Sequence, residues 1–229
     1  MTTKSPDRAA AAAEFDIWAK NGRGDSMAAG HLNAMTRATE GWEITDESVV
    51  VDVGCGIGWT LERLLVPGAK GYGYDISPEM IAEGSRRATP GVTLEVAPAA
   101  SIPLPDASAT HILNVESLYY YPDPAAALRE WARVARPGCH LAMVLDLYEE
   151  NPGSHSWIDA LDIGVHLLSA EQCVKMAEEA GFREVTWRQV TSPNPPKPRS
   201  EFTPSTFWPS YEMYLDTHRA GSLVVEAIR

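Results

Sequence analysis

The sequence predicts an α/β protein, a three-layer α/β/α sandwich built on a mostly parallel sheet of seven strands. Two observations support this prediction. From residue 49 onward, short apolar runs alternate with amphipathic segments, which is typical of βαβ units with helices on both faces of a sheet. The first apolar run, VVVDV, leads directly into the glycine-rich turn GCGIG, the kind of turn that joins a strand to a helix at a ligand site.

Two helices are predicted ahead of the sheet. The first covers residues 6–20, begins near Pro6 and carries Phe15 and Trp18 on one face. The second covers residues 27–39. The segment NGRGDS between them is rich in turn formers and predicts a loop. We therefore expect an N-terminal helical cap over residues 1–44.

The seven strands are predicted, in chain order, at SVVVDVG, GYGYDI, TLEVAP, THILNVES, HLAMVLDLY, REVTWRQVT and SLVVEAIR. Residues 150–168 and 192–221 interrupt the alternation of strands and helices, and we expect both segments to form inserts on the substrate side. The chain has 229 residues, of which 45% are hydrophobic. Because no linker divides it, residues 1–229 are expected to form a single domain.

The charge of the chain argues against a nucleic-acid substrate. The formal net charge is −12, and the basic stretch NPPKPRS contains only one lysine and one arginine. A protein that binds a phosphate backbone needs a basic face. We therefore predict a small-molecule substrate and no nucleic-acid partner.

The cysteines and the N-terminus indicate a cytoplasmic protein. Cys55, Cys139 and Cys173 form no CxxC pair, so the sequence predicts neither a disulfide framework nor a metal site. The N-terminal alanine run is flanked by charged residues and is predicted to be a helix, not a signal peptide. No apolar run reaches the roughly 18 residues that a membrane span requires, so no membrane association is expected.

The spacing of the glycine loop distinguishes between cofactors. A dinucleotide site has the spacing G-x-G-x-x-G, whereas this loop is Gly54-x-Gly56-x-Gly58, followed by Trp59 at the third dinucleotide position. A tryptophan is difficult to fit beside a pyrophosphate. The preceding acidic residue, Asp52, also disfavours a phosphate and suits an ammonium or a sulfonium. An NAD site is therefore the weaker interpretation.

The stretch VVVDVGCGIGWT resembles the first signature of class I S-adenosylmethionine (SAM)-dependent methyltransferases. Two more stretches follow in the family's order. GYGYDIS ends a second strand on an acidic residue, and IPLPDASATHILNVESLYYYPDPAAALREWARVARPGCHLAMV resembles the family's fourth strand, next helix, RPG turn and fifth strand. The resemblance covers roughly residues 45–190. It implies a Rossmann-like fold and SAM as the cofactor.

The resemblance also implies a set of cofactor-binding residues. The glycine loop would hold the methionine part of SAM, and the carboxylate at the end of the second strand would accept hydrogen bonds from both ribose hydroxyls. The family's acidic residue near the adenine is replaced by Pro98, so adenine recognition is expected from the two alanines that follow. The expected contacts in this part of the chain are Asp52, Gly54, Cys55, Gly56, Asp75, Ile76, Met80, Ala99 and Ala100.

Four further cofactor contacts are expected outside these signatures. Asn114 and Glu116 flank the end of the fourth strand, where the family contacts the methionine amine. Glu116 could instead be a buried partner of the neighbouring tyrosines or of the N-terminal cap. Trp18 and Arg23 lie in the cap, which closes over the cofactor in this family. The guanidinium of Arg23 suits the SAM carboxylate; the alternative is a solvated loop arginine.

The acceptor side has four candidate catalytic residues. NVESLYYYPDP resembles the corresponding segment of small-molecule and sugar O-methyltransferases, which have a histidine pair where this chain has Tyr119 and Tyr120. Tyrosine, with a pKa of about 10, is a poor base at neutral pH, so these two are expected to orient a substrate. Asp146 ends the fifth strand and matches a carboxylate of those enzymes. His31 in the cap could be a base or a cofactor contact, or simply a structural histidine.

These observations predict a SAM-dependent methyltransferase that acts on a small molecule, on oxygen before nitrogen or carbon. Aromatic residues in the two inserts suggest a pocket for a partly apolar acceptor. A SAM-binding protein without catalysis and an NAD-dependent oxidoreductase are the alternatives. A cavity beside the cofactor lined by His31, Tyr119 and Asp146 would favour the enzyme. The aromatic residues in question are Trp157, Phe202, Phe207, Trp208, Tyr211 and Tyr214.

Overall fold

A computed structural model describes residues 4–161 and 163–229, so residues 1–3 of the predicted cap and residue 162 of the first insert lie outside the described residues. The described part contains one sheet of seven strands in the order β3-β2-β1-β4-β5-β7-β6. β7 is antiparallel to both of its neighbours, and the other pairings are parallel. The predicted mostly parallel sheet is confirmed. The strands are β1 Val49–Val53, β2 Lys70–Asp75, β3 Val92–Val96, β4 Ala109–Val115, β5 Ala135–Leu145, β6 Arg183–Val190 and β7 Ser222–Ile228.

Helices lie before and between the strands. Several begin with a side chain that accepts a hydrogen bond from the first turn, such as Ser77 before α4 and Asp123 before α5, because the first amides of a helix have no partner within the helix. Within the described residues the α-helices are α1 Arg8–Lys20, α2 Arg23–Ala38, α3 Trp59–Leu64, α4 Pro78–Ser85, α5 Pro124–Val134, α6 Ser156–Ala160, α7 Ala170–Ala180 and α8 Tyr211–Ala220. No helix among these residues is both long and apolar enough to cross a lipid bilayer.

The strand order determines where a ligand can bind. It reverses between β1 and β4, because β2 and β3 continue on one side of β1 while β4 and β5 continue on the other. Ligands of open α/β sheets bind at such a switch point, beyond the carboxyl ends of the strands. The residues that follow β1, β2, β4 and β5 therefore share one edge of the sheet.

The centre of the sheet is buried on both faces. β4 is buried along nearly its whole length, and the last five residues of β5 are buried as well. This explains their continuous apolar sequences, since strands covered by helices on both faces do not alternate with polar residues. Trp131 of α5 is fully buried in the same core, and its indole donates to the carbonyl of Ala99, 3.1 Å away.

The cap consists of α1 and α2, and it differs from the prediction at its loop. Gly22 adopts a left-handed conformation and α2 begins at Arg23, so the predicted loop NGRGDS is wrong from its third residue onward. α1 is attached to the start of α4 through Asp16. Its Oδ1 accepts hydrogen bonds from Ser77 Oγ at 2.6 Å and from Glu79 N at 3.1 Å.

Candidate functional site

The glycine loop begins where β1 ends, at the switch point of the sheet. Gly54, Gly56 and Gly58 have φ angles of +74°, +52° and +78°, which L-residues with a side chain rarely adopt. The amides of Gly54 and Cys55 donate to the carbonyl of Tyr74 in β2 at 2.7 and 3.1 Å. A methyl group on Gly54 would collide with the side chain of Ser117. The loop thus presents bare backbone to the space above the sheet.

Asp75, the last residue of β2, is held in place by this loop. Its Oδ2 accepts a hydrogen bond from Gly56 N at 2.9 Å, and its Oδ1 accepts one from Ser77 N at 2.8 Å. Burial raises the pKa of Asp75, while the backbone donors oppose that rise. Each carboxylate oxygen has a further lone pair, so Asp75 can accept additional hydrogen bonds from a ligand in the crevice that it lines.

A crevice lies between the glycine loop and the cap. Next to it lies a cavity of about 430 Å³, and Tyr120 lines both. Most of the predicted cofactor residues line one of the two. Trp18, Gly54, Cys55, Gly56, Asp75, Met80 and Glu116 line the crevice, and Ile76, Ala99 and Ala100 line the neighbouring cavity.

Three of the predicted cofactor residues lie elsewhere. Asp52 is buried beneath the loop, where Thr60 Oγ1 donates to its Oδ2, and burial raises its pKa to about 7. Asn114 is fully buried, and its Nδ2 donates to Val53 O at 2.7 Å. Neither side chain lines the crevice. Arg23 lines a third cavity, on the acceptor side.

The third cavity, which we call the aromatic chamber, has a volume of about 440 Å³. Trp18, Met27, His31, Glu116 and Tyr120 line both the chamber and the crevice, so a ligand in one can approach a ligand in the other. Other residues line the chamber but not the crevice, among them Arg23, Tyr119, Asp146, Trp157, Phe207 and Trp208.

Half of the insert aromatics that were predicted to form a substrate pocket line the chamber. Trp157 packs edge-on against Phe207 and Trp208, with centroid distances of 6.3 and 5.6 Å. The other three, Phe202, Tyr211 and Tyr214, pack against one another instead, with centroid distances from 5.3 to 6.0 Å.

Three ionisable side chains meet where the chamber adjoins the crevice. His31 of α2 places its Nε2 3.1 Å from Asp146 Oδ2 and 3.6 Å from Glu116 Oε2. Glu116 follows β4 and Asp146 follows β5, so the sheet brings the two carboxylates together. Tyr119 OH donates to Glu116 Oε2 at 2.7 Å, and the backbone amide of Asp146 donates to Glu116 Oε1.

The surroundings of His31 determine its protonation. Its Nδ1 donates to the carbonyl of Met27 at 2.8 Å, because a carbonyl can only accept. Nε2 therefore faces two carboxylates, and a lone pair there would repel both. Burial alone would lower the pKa of His31, but Asp146 and Glu116 outweigh burial and raise it to about 10. At neutral pH His31 is an imidazolium, which cannot accept a proton.

The two carboxylates differ in proton affinity. Burial and the neighbouring Asp146 raise the pKa of Glu116 to about 7, against the opposing effect of His31. Burial would also raise the pKa of Asp146, but its hydrogen bond and charge interaction with His31 lower it. Glu116 also has a φ angle of +55°, and such backbone strain is concentrated at functional sites. Glu116 is thus the group of the three that titrates near neutrality.

The same three side chains have the donor atoms of a divalent metal site. One ligand atom from each of His31, Glu116 and Asp146 lies within 4.8 Å of the others, and imidazole and carboxylate are common metal ligands. A cation bound there would displace the proton that Nε2 carries. No metal site was predicted because the three residues are distant in the chain and follow no ligand spacing.

Several residues of the crevice were missed by the sequence reasoning. Gly24 and Met27, in the first turns of α2, line it because the helix starts earlier than predicted. Ser117 also lines it, and its hydroxyl lies 2.7 Å from Tyr121 OH. The second glycine of NGRGDS could have indicated Gly24, because a Cβ at this position would lie only 2.9 Å from the side chain of Ile57 in the glycine loop.

Comparison with known proteins agrees with this geometry. The family model described as "Methyltransferase domain" matches residues 51–143. The chain is 33% identical over 144 residues to a malonyl-[acyl-carrier protein] O-methyltransferase of Hahella chejuensis, covering 58% of the chain and 50% of that protein. It is 30% identical over 150 residues to the O-methyltransferase resE of Aspergillus sclerotiorum, covering 62% and 57%. The chain thus spans about half the length of these curated relatives.

Solved structures extend the similarity to nearly the whole chain. A chain from the complex between the Haloferax volcanii Trm112 methyltransferase activator and a methyltransferase superposes with a TM-score of 0.85 and 28% identity, covering 94% of this chain and 97% of the other. A SAM-dependent methyltransferase from Aquifex aeolicus shares the fold at a TM-score of 0.60 and 19% identity, covering 88% and 92%. Together with the glycine loop, the carboxylate after β2 and this sheet order, these matches support a class I SAM-dependent methyltransferase.

Proposed function

We propose that this protein transfers a methyl group from SAM to an oxygen atom of a small, partly apolar molecule that binds in the aromatic chamber. The observation that carries this proposal is the junction of the crevice and the chamber at Glu116 and His31. Methyl transfer requires that SAM and the acceptor be held at near-attack distance from each other and shielded from water. The junction allows ligands in the two cavities to meet in this way. The O-methyltransferases among the relatives support oxygen as the acceptor atom.

The residues of the crevice fit the cofactor. The loop between Gly54 and Gly58 offers backbone that no side chain obstructs, and Asp75 retains lone pairs for the ribose hydroxyls. Met80 and Ile76 supply apolar surface for the adenine from the crevice and the neighbouring cavity. SAM, when bound, supplies an electrophilic methyl group on a sulfonium. The protein's residues must then align the acceptor and remove its proton.

We assign the removal of the acceptor's proton to Glu116. Its carboxylate lines the chamber, and its pKa of about 7 is suited to a base that works near neutral pH. His31 stays charged and compensates the two carboxylates, so it acts as a positioning residue and not as the base. Tyr119 orients Glu116 through its hydrogen bond, and Tyr120 forms part of the wall between the cavities. Asp146 holds His31 in place.

Two alternatives are less well supported. In a SAM-binding protein without catalysis, the space beside the cofactor would be filled, whereas here His31, Tyr119 and Asp146 line a cavity of about 440 Å³. In an NAD-dependent oxidoreductase, a third glycine would let the helix pack closely against the strand, whereas this chain has Trp59 at that position, where it lines the crevice.

A thermal-shift titration tests the cofactor, and a substrate screen tests the reaction. S-adenosylhomocysteine (SAH) at about 100 times its dissociation constant should add roughly 2.7 kcal/mol of stability, while NAD should add none. A panel of hydroxylated aromatic and aliphatic compounds, monitored for SAH release from SAM, should then contain substrates. A melting point that rises with NAD and not with SAH would refute the assignment of SAM as the cofactor. Methylation confined to amines or carbon atoms would refute oxygen as the acceptor atom.

A further inference from the structure

Arg23, the first residue of α2, lies in the wall of the aromatic chamber between two aromatic rings. Its guanidinium carbon is 3.6 Å from the centroid of the Trp18 ring and 4.8 Å from that of Phe207. Contacts of this kind hold a cation through the quadrupole of the ring. The two rings come from opposite ends of the chain, from α1 and from the second insert, so the position of Arg23 depends on the folded chamber.

The guanidinium of Arg23 has no acceptor within the described residues. No carboxylate there forms an ion pair with it, and no oxygen accepts one of its hydrogen bonds. Arg23 is nevertheless half-buried. The other arginines that lack an acceptor in the described part of the chain are exposed and can use water instead; they are Arg8, Arg63, Arg136 and Arg183.

A half-buried guanidinium without an acceptor is costly to maintain. It has five N–H donors in one plane. Burying any of these donors without a hydrogen-bond acceptor costs free energy. The rings of Trp18 and Phe207 compensate the charge at the faces of the guanidinium but accept no hydrogen bonds along its edge. A carboxylate or phosphate fits that edge with paired hydrogen bonds.

Among the charged residues that line the chamber, Arg23 is the one best suited to bind an anion. Among the described residues that line the chamber, the other cation is His31, which already lies between Asp146 and Glu116. An anionic ligand would be repelled by those carboxylates. Arg23 lines the chamber and does not line the cofactor crevice, which favours a ligand group other than one on the cofactor.

We infer that Arg23 binds an anionic group of the methyl acceptor, so that the acceptor is a hydroxylated, largely apolar molecule that carries a carboxylate or a phosphate. This inference rests on the proposed function, because it assigns the chamber to the acceptor. The apolar body would lie against Trp157, Phe207 and Trp208, with the anionic group at Arg23 and the reacting hydroxyl at Glu116.

Calorimetric titration in the presence of saturating SAH tests the inference with matched ligands. The probes are 4-hydroxybenzoate, 6-hydroxy-2-naphthoate and 4-hydroxybenzyl phosphate, each compared with its neutral amide or alcohol. The wild type should bind at least one of the anions about 10- to 100-fold more tightly than its neutral counterpart. The Arg23→Gln variant should lose that preference and Arg23→Lys should keep part of it. The preference of the carboxylates over the phosphate, or the reverse, identifies the anion.

The controls separate this inference from the proposed function. Arg63→Gln removes an exposed arginine of α3 and should leave anion binding unchanged. The dissociation constant of SAH for Arg23→Gln should stay within about twofold of the wild-type value, because Arg23 lines the chamber and not the cofactor crevice. The inference is wrong if no anion is preferred by the wild type, or if the anion preference persists in Arg23→Gln. A tenfold loss of SAH affinity in Arg23→Gln would also overturn it, because that result would assign Arg23 to the cofactor. If SAH itself does not bind the wild type, the proposed function is what has failed.

Discussion

His31 and Asp146 are 115 positions apart in the chain, yet Nε2 of the histidine lies 3.1 Å from Oδ2 of the aspartate. The contact joins the cap to the carboxyl end of β5, and Glu116 completes it from the end of β4. A cation buried between two carboxylates stabilises both the cap and the charged state of the site. This cluster and the crevice beside it lead to five predictions.

The rate of methyl transfer should depend on pH as a bell-shaped curve. Glu116 must be ionised to accept a proton, so the rate should rise as the pH passes through its pKa of about 7. His31 must stay protonated to hold the carboxylates, so the rate should fall as the pH passes through about 10. The measurement is kcat/KM between pH 5 and 11 on a substrate found in the screen.

The Glu116→Gln variant tests the base directly. It should lower kcat by about 10²- to 10⁴-fold and remove the rising limb of the pH profile. SAH affinity should change little, because the amide keeps the shape of the side chain. Glu149→Gln, which alters an exposed residue after β5, is the matched control. A variant that retains the wild-type limb near pH 7 would show that another group titrates there.

His31→Ala should destabilise the protein in a pH-dependent manner. Removing one partner from a buried ion pair costs about 3–5 kcal/mol. The folded-state pKa of His31 is raised from 6.5 to about 10, so its stabilising effect is complete below pH 6.5 and is lost as the pH rises toward 10. Urea denaturation of the wild type and variant at pH 6 and pH 9.5 should therefore show a larger difference at pH 6.

His218→Ala serves as the control for that experiment. His218 is half-buried, with a hydrogen bond to the carbonyl of Asn194 and an edge-on contact with Tyr214, but it forms no ion pair with the described carboxylates. Its difference from the wild type should be small at both pH values. An equal loss of stability for His31→Ala at pH 6 and pH 9.5 would mean that packing, and not charge, is what His31 contributes.

Asp75→Asn should weaken SAH binding, because the carboxylate's remaining lone pairs are the acceptors for two hydroxyl donors. Hydrogen bonds to a charged group contribute about 1.5–3 kcal/mol each, so the loss should reach at least about tenfold in the dissociation constant measured by calorimetry. Glu62→Gln, an exposed acid of α3, should bind SAH as the wild type does. If Asp75→Asn binds SAH with unchanged affinity, the ribose does not form hydrogen bonds with Asp75.

Gly54→Ala and Gly138→Ala form a matched pair. Both glycines have positive φ angles, +74° and +80°, but a Cβ on Gly138 meets no atom within 4 Å, whereas one on Gly54 collides with Ser117. Each substitution should cost about 1–2 kcal/mol through backbone strain, and Gly54→Ala should cost at least about 1 kcal/mol more through the collision. Chemical denaturation measures both, and equal losses would contradict the close approach of the loop.

The sequence allowed the fold and the cofactor side of the site to be predicted because their signals are local. The glycines after β1 and the acid after β2 are each adjacent to an apolar strand, and the rules for parallel sheets bring strand ends together. The residue type alone does not decide which way a side chain at a strand end points. Asn114 and Asp52 turn into the protein, and only the strand register determines this.

The acceptor side was less predictable because it is assembled from distant segments. His31 could be identified as a candidate, but its protonation depends on how α2 lies over the ends of β4 and β5. Glu116 was assigned to the cofactor because neither its raised pKa nor its backbone strain is visible in the sequence. The start of α2 was missed because Gly22, which adopts a left-handed conformation ahead of the helix, reads as a turn residue.

The attachment of α1 to α4 couples the cap to the cofactor crevice. Asp16 joins the helix that carries Phe15 and Trp18 to Ser77, two residues beyond the carboxylate of Asp75. Any displacement of α1 away from α4 would break the two hydrogen bonds of Asp16. The order of the first helix and the shape of the crevice wall therefore depend on one carboxylate.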